Sequence, residues 1–201
     1  MSRERVRPTR EETRARLFEA AAEVFADQGI GGATIEQIAS AAGFTRGAFY
    51  SNFATKDELL LAMYEDHCER STQAALALLE AHPDAVDFVE ALRADNHREG
   101  DPLHNSPMLQ IELVLHVARV PEQRPALAER LQTMRKVIGE MAASSLRAAG
   151  MDRDVDPLEV GALLMAMEDG FLLHRLIDPD TTPPDAFFEA VRQLQEIALG
   201  R

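Results

Sequence analysis

Cysteine and positive charge are both scarce in this chain. Its 201 residues include one cysteine, Cys68, and 21 Lys and Arg set against 34 Asp and Glu, a formal net charge of -13. A single cysteine excludes an intramolecular disulfide, and with no C-x-x-C partner it reads as a plain packing or surface residue rather than a reactive thiol. No apolar run is long enough to span a bilayer, and no apolar stretch follows a basic start as a secretory leader requires, so a cytoplasmic protein with no membrane partner is expected. A Gly-rich phosphate loop, zinc-ligand spacing and a triad-like cluster are also missing. That argues against an enzyme and against a bound cofactor or metal. Internal repeats and low-complexity tracts are absent too. The acidic balance disfavours a protein that coats DNA without regard to sequence, since such proteins carry broad positive charge.

What is present starts with 46% hydrophobic residues, enough to bury a core in one ordinary domain or two small ones. The charge is unevenly placed. Residues 1 to 56 hold eight Lys or Arg and seven Asp or Glu, a net +1, so the remaining 145 residues carry -14. Within the first sixteen residues Arg3, Arg5, Arg7, Arg10, Arg14 and Arg16 face only Glu4, Glu11 and Glu12, which makes a basic arm. Taken alone, the arm is equally consistent with a solvated tail and with a segment that meets phosphates.

The chain reads as a succession of helices with no strand, an all-α fold. Thr9 to Glu12, Thr34 to Gln37 and Thr55 to Glu58 match the capping box, in which a Thr hydroxyl and a Glu or Gln side chain satisfy amides left free at a helix start. Gly29, Gly43 and Gly150 stand where helices stop, and Asp156-Pro157 and Thr182-Pro183 place a cap before a proline at the first helical position. About nine helices are predicted, near 9–28, 35–42, 45–52, 55–81, 84–97, 106–119, 122–149, 157–177 and 183–199, with the longest loop from His97 to Ser106.

The segment Thr34 to Phe53, TIEQIASAAGFTRGAFYSNF, carries the function. Leu17, Ala20, Ala21, Val24 and Phe25 line one stripe of the helix before it, and Ile35, Ile38, Ala39 and Ala42 line the first helix within it, so both bury a face. In the second short helix Phe49 and Phe53 lie four apart and point inward, joined by Phe44 from the turn. Gly47 and Ser51 are left outward, flanked by Ala48 and Tyr50. In a helix-turn-helix the second helix enters the major groove and its early residues meet base edges. Arg46 can donate two bonds to guanine; Thr45 can cap the helix or meet DNA, and Gly47 and Ala48 permit close approach. Tyr50, Thr34 and Lys56 suit phosphates, the last two at helix starts that favour an anion. Pattern alone also fits plain three-helix packing, in which Thr34 and Thr45 are only caps and Tyr50 only surface.

The residues Thr34, Ile35, Ile38, Ala39, Ala42, Gly43, Thr45, Gly47, Tyr50, Phe53, Lys56, Leu59 and Leu60, in that register, resemble the signature of the tetracycline-repressor (TetR) family of transcriptional regulators. Thr13, Leu17, Ala20, Ala21, Phe25 and Gly29 fit that family's first helix. The resemblance covers about the first third of the chain and implies DNA contacts from Thr34, Thr45, Arg46, Gly47, Ala48, Tyr50, Ser51, Asn52 and Lys56. Asn52 departs from the family, which commonly has His or another large side chain there. The expected organisation is a helix-turn-helix DNA-binding domain at 1–60, with the arm at 1–10 and the motif at 34–53, then a larger effector-binding and dimerisation domain at 61–201.

In that second part, Val160 to Met167 offers no polar side chain on any helical face and so needs neighbours on more than one side. Ala162, Ala166 and Gly170 form a small-residue row for close approach of another helix, and Phe187, Phe188, Val191, Leu194 and Ile197 recur at helical spacing. The family resemblance implies that the last two helices build a homodimer interface, assigned here to Ala162, Ala166, Gly170, Phe187, Val191 and Leu194. Both helices packing as simple core is the alternative. The candidate effector pocket comprises Met108, Glu112, His116, Met134 and Met167, for a small apolar or amphipathic molecule. Glu112 and His116 also form an ordinary helix-stabilising pair, since no third metal ligand is evident. The expected protein is therefore a regulator, a repressor if it follows the family, released from a palindromic double-stranded operator by an effector. The other reading is a helical ligand-binding or interaction protein without sequence-specific DNA binding.

Overall fold

In a computed structural model, residues 8–82, 85–95, 101–122, 124–148, 150 and 156–199 are described, the side chains of 85, 86, 145, 148, 198 and 199 excepted. Among them the regular secondary structure is all helical, joined by turns and short loops, with no strand. The elements are α1 (Arg10–Gly32), α2 (Ile35–Ala41), α3 (Arg46–Tyr50), α4 (Lys56–Ala81), α5 (Ala85–Ala94), α6 (Pro107–Arg119), α7 (Arg124–Ala148), α8 (Pro157–Ile177) and α9 (Ala186–Leu199). The predicted arm lies mostly outside the described residues, as does the start of the predicted 97–106 loop. No described helix is long and apolar enough to cross a membrane.

The starts follow the capping chemistry. Thr9 with Glu12 and Thr34 with Gln37 form complete capping boxes. At α4 the Thr55 hydroxyl accepts from the Glu58 amide at 3.0 Å, but the Glu58 carboxylate reaches back one residue further, to the Ala54 amide at 2.6 Å. Asp156 caps α8 ahead of Pro157. Gly29, with φ of +70°, ends the first regular stretch of α1 as expected, and a further turn runs on from it to Gly32. One expectation needs correction: α9 does not begin at Pro183. Pro183 is followed by Pro184, whose ring disfavours helical backbone in the residue before it. A turn closed by the Ala186 amide on the Pro183 carbonyl intervenes, and the helix starts at Ala186.

The chain divides into two compact units, Met1–Glu65 with Glu99–His116, and Asp66–Arg98 with Val117–Arg201. The helices α4 and α6 contribute to both, and α4 runs unbroken past residue 60. In the first unit α1 packs on α2 and α2 on α3. Its fully buried side chains include Leu17, Phe25, Ile38, Phe49, Phe53, Leu59 and Leu60 from the N-terminal helices and Leu109 and Leu113 from α6.

The second unit is organised on a different contact. Its most extensive pairing is α7 with α8, and α9 packs on α5 and α8. A Cβ added at Gly139 would lie 1.6 Å from the Pro157 carbonyl oxygen, and one added at Gly161 would lie 1.8 Å from that of Arg135. The two helices therefore meet backbone to backbone, each supplying a glycine where a side chain would drive them apart. A small core of Ala75, Phe88 and Met141, with Leu78, Leu79, Leu92, Val137 and Ile138 around it, joins α4, α5 and α7. Cys68 is buried.

Candidate nucleic-acid interface

Five residues are too few for a helix to hold itself in water, so α3 depends on its anchors. Phe49 and Phe53 are essentially sealed from solvent, their rings 5.8 Å apart, and Phe18 of α1 meets Phe53 at the same distance. The turn before α3 requires Gly43 at φ of +72°, where a Cβ would be strained. Two α1 arginines hold this arrangement from the side. Arg16 donates to the Ala42 carbonyl at 2.8 Å and lies 4.5 Å over the Phe44 ring, and Arg14 lies 4.6 Å over Phe53. Such contacts fix the angle between α2 and α3 without using any group on the outer face.

That outer face presents Arg46, Gly47, Tyr50 and Ser51 to solvent, with Ala48 half-buried between them. Arg46 is its single cation, and it is engaged. Its Nη1 lies 2.6 Å from Glu36 Oε1, its Nη2 donates to the Tyr50 hydroxyl at 3.1 Å, and its guanidinium sits 5.3 Å from the Tyr50 ring centre. The hydrogen bond to Tyr50 and then the charge of Glu36 push its already high pKa up further. Thr34 and Thr45 both cap, accepting from the Gln37 and Ala48 amides. The Thr34 hydroxyl also donates to Gln37 Oε1 at 2.8 Å. The Ser51 hydroxyl donates to the Gly47 carbonyl at 2.9 Å.

Two expected phosphate donors are tied to the scaffold. Lys56 donates to the carbonyls of Ile30 and Ala33, at 2.5 and 2.8 Å, so two of an ammonium's three N–H groups close the end of α1. Asn52 donates from Nδ2 to the Ala48 carbonyl at 2.9 Å, while its Oδ1 is buried with no hydrogen-bond partner among the described residues. A side chain in this position caps α3 from behind, a role the residue type alone did not indicate.

The candidate pocket residues are placed less coherently. Met108 is exposed on α6. Glu112 Oε2 accepts from the Ile30 amide at 3.2 Å, and His116 Nε2 lies 2.8 Å from Asp57 Oδ1. Each thus reaches a different helix rather than the other. Met134 and Met167 are half-buried in the second unit. On the candidate dimer face Ala166 is exposed, Ala162 and Gly170 half-buried, and a Cβ at Gly170 would meet nothing within 4 Å. Phe187 and Val191 are half-buried and Leu194 is 49% exposed. Leu163, Leu173 and Ile177 of α8 and Ile197 of α9 are exposed as well. Sequence reading missed Glu36, whose signal was an acid in the first turn of α2 opposite a base opening α3. It also missed Gly139 and Gly161, which look in sequence like two unremarkable helix glycines.

A capped, glycine-turned helix pair whose second member shows one arginine outward defines a helix-turn-helix reading head. Comparison with known proteins agrees. Residues 17–63 match the bacterial regulatory proteins of the tetR family, and residues 83–196 match the tetracyclin repressor-like C-terminal domain. The chain belongs to the TetR family of transcriptional regulators, which bind DNA and are not enzymes. It is 39% identical to the transcriptional regulator SrpR of Pseudomonas putida over 111 residues, 47% of this chain and 52% of that one. With the regulator CymR of the same species the identity is 31% over 147 residues, 71% of this chain and 70% of that one. Among solved structures, the fatty acid degradation regulator FadR of Bacillus halodurans shares the fold, with a TM-score of 0.72 at 17% identity over 95% of this chain and 96% of that one.

Proposed function

We propose that this regulator is a repressor. As a homodimer it reads a palindromic operator, and it releases that operator when a small apolar or amphipathic effector binds among the helices of its C-terminal part. The observation that carries the reading is the sparseness of α3, whose outer face offers one cation and little surface. One such helix specifies few base pairs, whereas two related by a two-fold axis read half-sites about 34 Å apart. Support for the dimer comes from the leucines and isoleucines left exposed along α8 and α9, a pattern typical of surfaces that meet a partner. The domain at 1–60 reads DNA, and 61–201 senses and dimerises.

Within the reader, Arg46 meets guanine, with Gly47 and Ala48 allowing close approach. Thr34, Thr45, Tyr50 and Ser51 line the surrounding backbone, and Lys56 and Asn52 contribute chiefly by holding that surface in shape. Effector binding acts through α4, which begins at Lys56 beside the reading head and continues to Ala81. Tilting it changes the separation of the two recognition helices and lowers operator affinity.

Selecting bound fragments from a random DNA pool yields the operator, and the spacing of its half-sites checks the symmetry. On that operator Arg46→Ala is expected to lose about 5- to 100-fold in affinity while binding to random duplex changes little, the signature of a lost base contact. Equal loss on both DNAs would show that Arg46 meets only phosphate. A non-repetitive selected sequence with a single half-site would remove the dimer from the reading mechanism.

A further inference from the structure

One surface contact of the reading head joins its two helices. Glu36 stands in the first turn of α2 and Arg46 opens α3, and the 2.6 Å ion pair between them lies on the solvent side, with the two side chains 55% and 61% exposed. Tyr50 takes the other Nη of the same guanidinium. In the DNA-free protein the one cation on this surface is therefore held at two points, one of them by a carboxylate on the same solvent-facing side. An acid there is unfavourable for binding DNA in general, because it opposes the polyanion and occupies the residue best able to attract it.

We propose that Glu36 is a specificity-determining residue of the reading head, keeping Arg46 from pairing with the phosphates of random DNA and holding it aimed at a guanine. This rests on the assignment of Arg46 as the base reader. The pairing is selective because the two ligands differ in whether they displace Glu36. A phosphate oxygen replaces one anionic acceptor with another and leaves Glu36 beside the backbone, uncompensated. Guanine presents O6 and N7 together, two acceptors matched to the planar fork, deep in a groove where the guanidinium is drawn away from solvent. A guanidinium carries five N–H groups, so it can serve guanine's two acceptors while still paired with Glu36, and the cost of parting the pair falls on phosphate contacts rather than on the operator. Tyr50 assists by keeping the guanidinium extended along α3 rather than free to swing.

The test uses the full-length protein with the selected operator and a random duplex of equal length, followed by fluorescence anisotropy across a range of salt concentrations. Glu36→Gln is expected to bind random duplex about two- to fivefold more tightly, the worth of an exposed ion pair, while operator affinity rises less, so that the operator-to-random ratio falls. The salt dependence on random duplex should steepen by up to about one counterion as Arg46 turns to phosphate. Glu36→Asp keeps the charge but shortens the reach. It should resemble Glu36→Gln if the pairing matters, and wild type if charge alone does, which would overturn the proposal. Arg46→Ala serves as the control background. If Glu36→Gln still tightens random binding there, the carboxylate acts by simple repulsion and the proposal fails. If Arg46→Ala alone leaves the operator-to-random ratio intact, it is the assignment of Arg46 that has failed, a result separable from the first.

Discussion

The N-terminal helices of the first unit and the last two helices of the second differ in how completely they bury their apolar side chains. In the first, Leu17, Phe25, Ile38, Phe49, Phe53, Leu59, Leu60, Leu109 and Leu113 are sealed from solvent within a single chain. In the second, Leu158, Leu163, Leu173, Ile177, Leu194 and Ile197 are left exposed, and the tightest contact uses no side chains at all, only the glycines at the α7 and α8 crossing. The reading head is finished as a monomer and can hold a five-residue helix at a fixed angle. The C-terminal unit leaves unmet apolar surface, which a second copy would cover. The division suits a regulator whose head is to stay rigid while its far end assembles and responds.

The largest effect expected from breaking this contrast comes from the head. Phe49→Ala removes a ring with no exposed surface that touches Phe53 and Tyr50, and should cost about 3–5 kcal/mol by chemical denaturation. Operator binding should be lost with it, since Phe49 is the buried residue of α3 itself. A near-normal denaturation midpoint would mean that α3 is not held by its aromatic side chains. Next comes Gly161→Ala. The added Cβ would need the space of the Arg135 carbonyl, so α7 and α8 must part, at a cost of about 1–3 kcal/mol. Tolerance of this change would show that the two backbones are not in contact.

These two residues also mark what could be read beforehand. Phe49 was legible because its burial follows from local spacing: two aromatic side chains four apart on a short helix can face only one way. The capping boxes at Thr9 and Thr34 were legible for the same reason, as each needs only its own four residues. Gly161 was not, because its partner is 26 residues away on another helix, and nothing in the sequence distinguishes a glycine that admits a backbone from one that does not. The small row at Ala162, Ala166 and Gly170 had the more conspicuous spacing, yet the close approach within the chain falls one residue earlier. Glu36 and Lys56 show the same limit at the site: residue type pointed Lys56 to phosphate, while the fold placed the carbonyls of Ile30 and Ala33 within its reach.

The exposed face gives a sharper and smaller test. Leu163→Glu, at a side chain 60% exposed, places a charge where the proposed partner packs. It should leave the fold of the single chain nearly unchanged, since surface substitutions usually fall within about 0.5 kcal/mol. Sedimentation should nevertheless show a shift from dimer to monomer, with weaker operator binding. A dimer that persists unchanged would move the interface away from this part of α8.

The smallest effect concerns Asp169 on α8, one turn from Met165 and Ala166. Desolvation raises its carboxyl above the ordinary aspartate range, and the positive charge of Arg135 on α7 only partly draws it back. A carboxyl whose folded pKa exceeds its unfolded value favours the folded state when protonated. Its stabilising contribution is complete below the unfolded pKa of about 3.9 and is lost as pH rises through the raised folded value. At neutral pH the ionised group is therefore a net cost, a modest one because solvent still reaches it. Asp169→Asn should raise the denaturation midpoint slightly at pH 7, and the gain should shrink to nothing as the pH is lowered below the ordinary aspartate range. The head, which contains no part of this arrangement, should show no matching pH-dependent gain. An Asn variant less stable than wild type at pH 7 would mean that Asp169 is held by Arg135 more strongly than it is penalised by burial, and would turn a cost in the C-terminal unit into one of its ties.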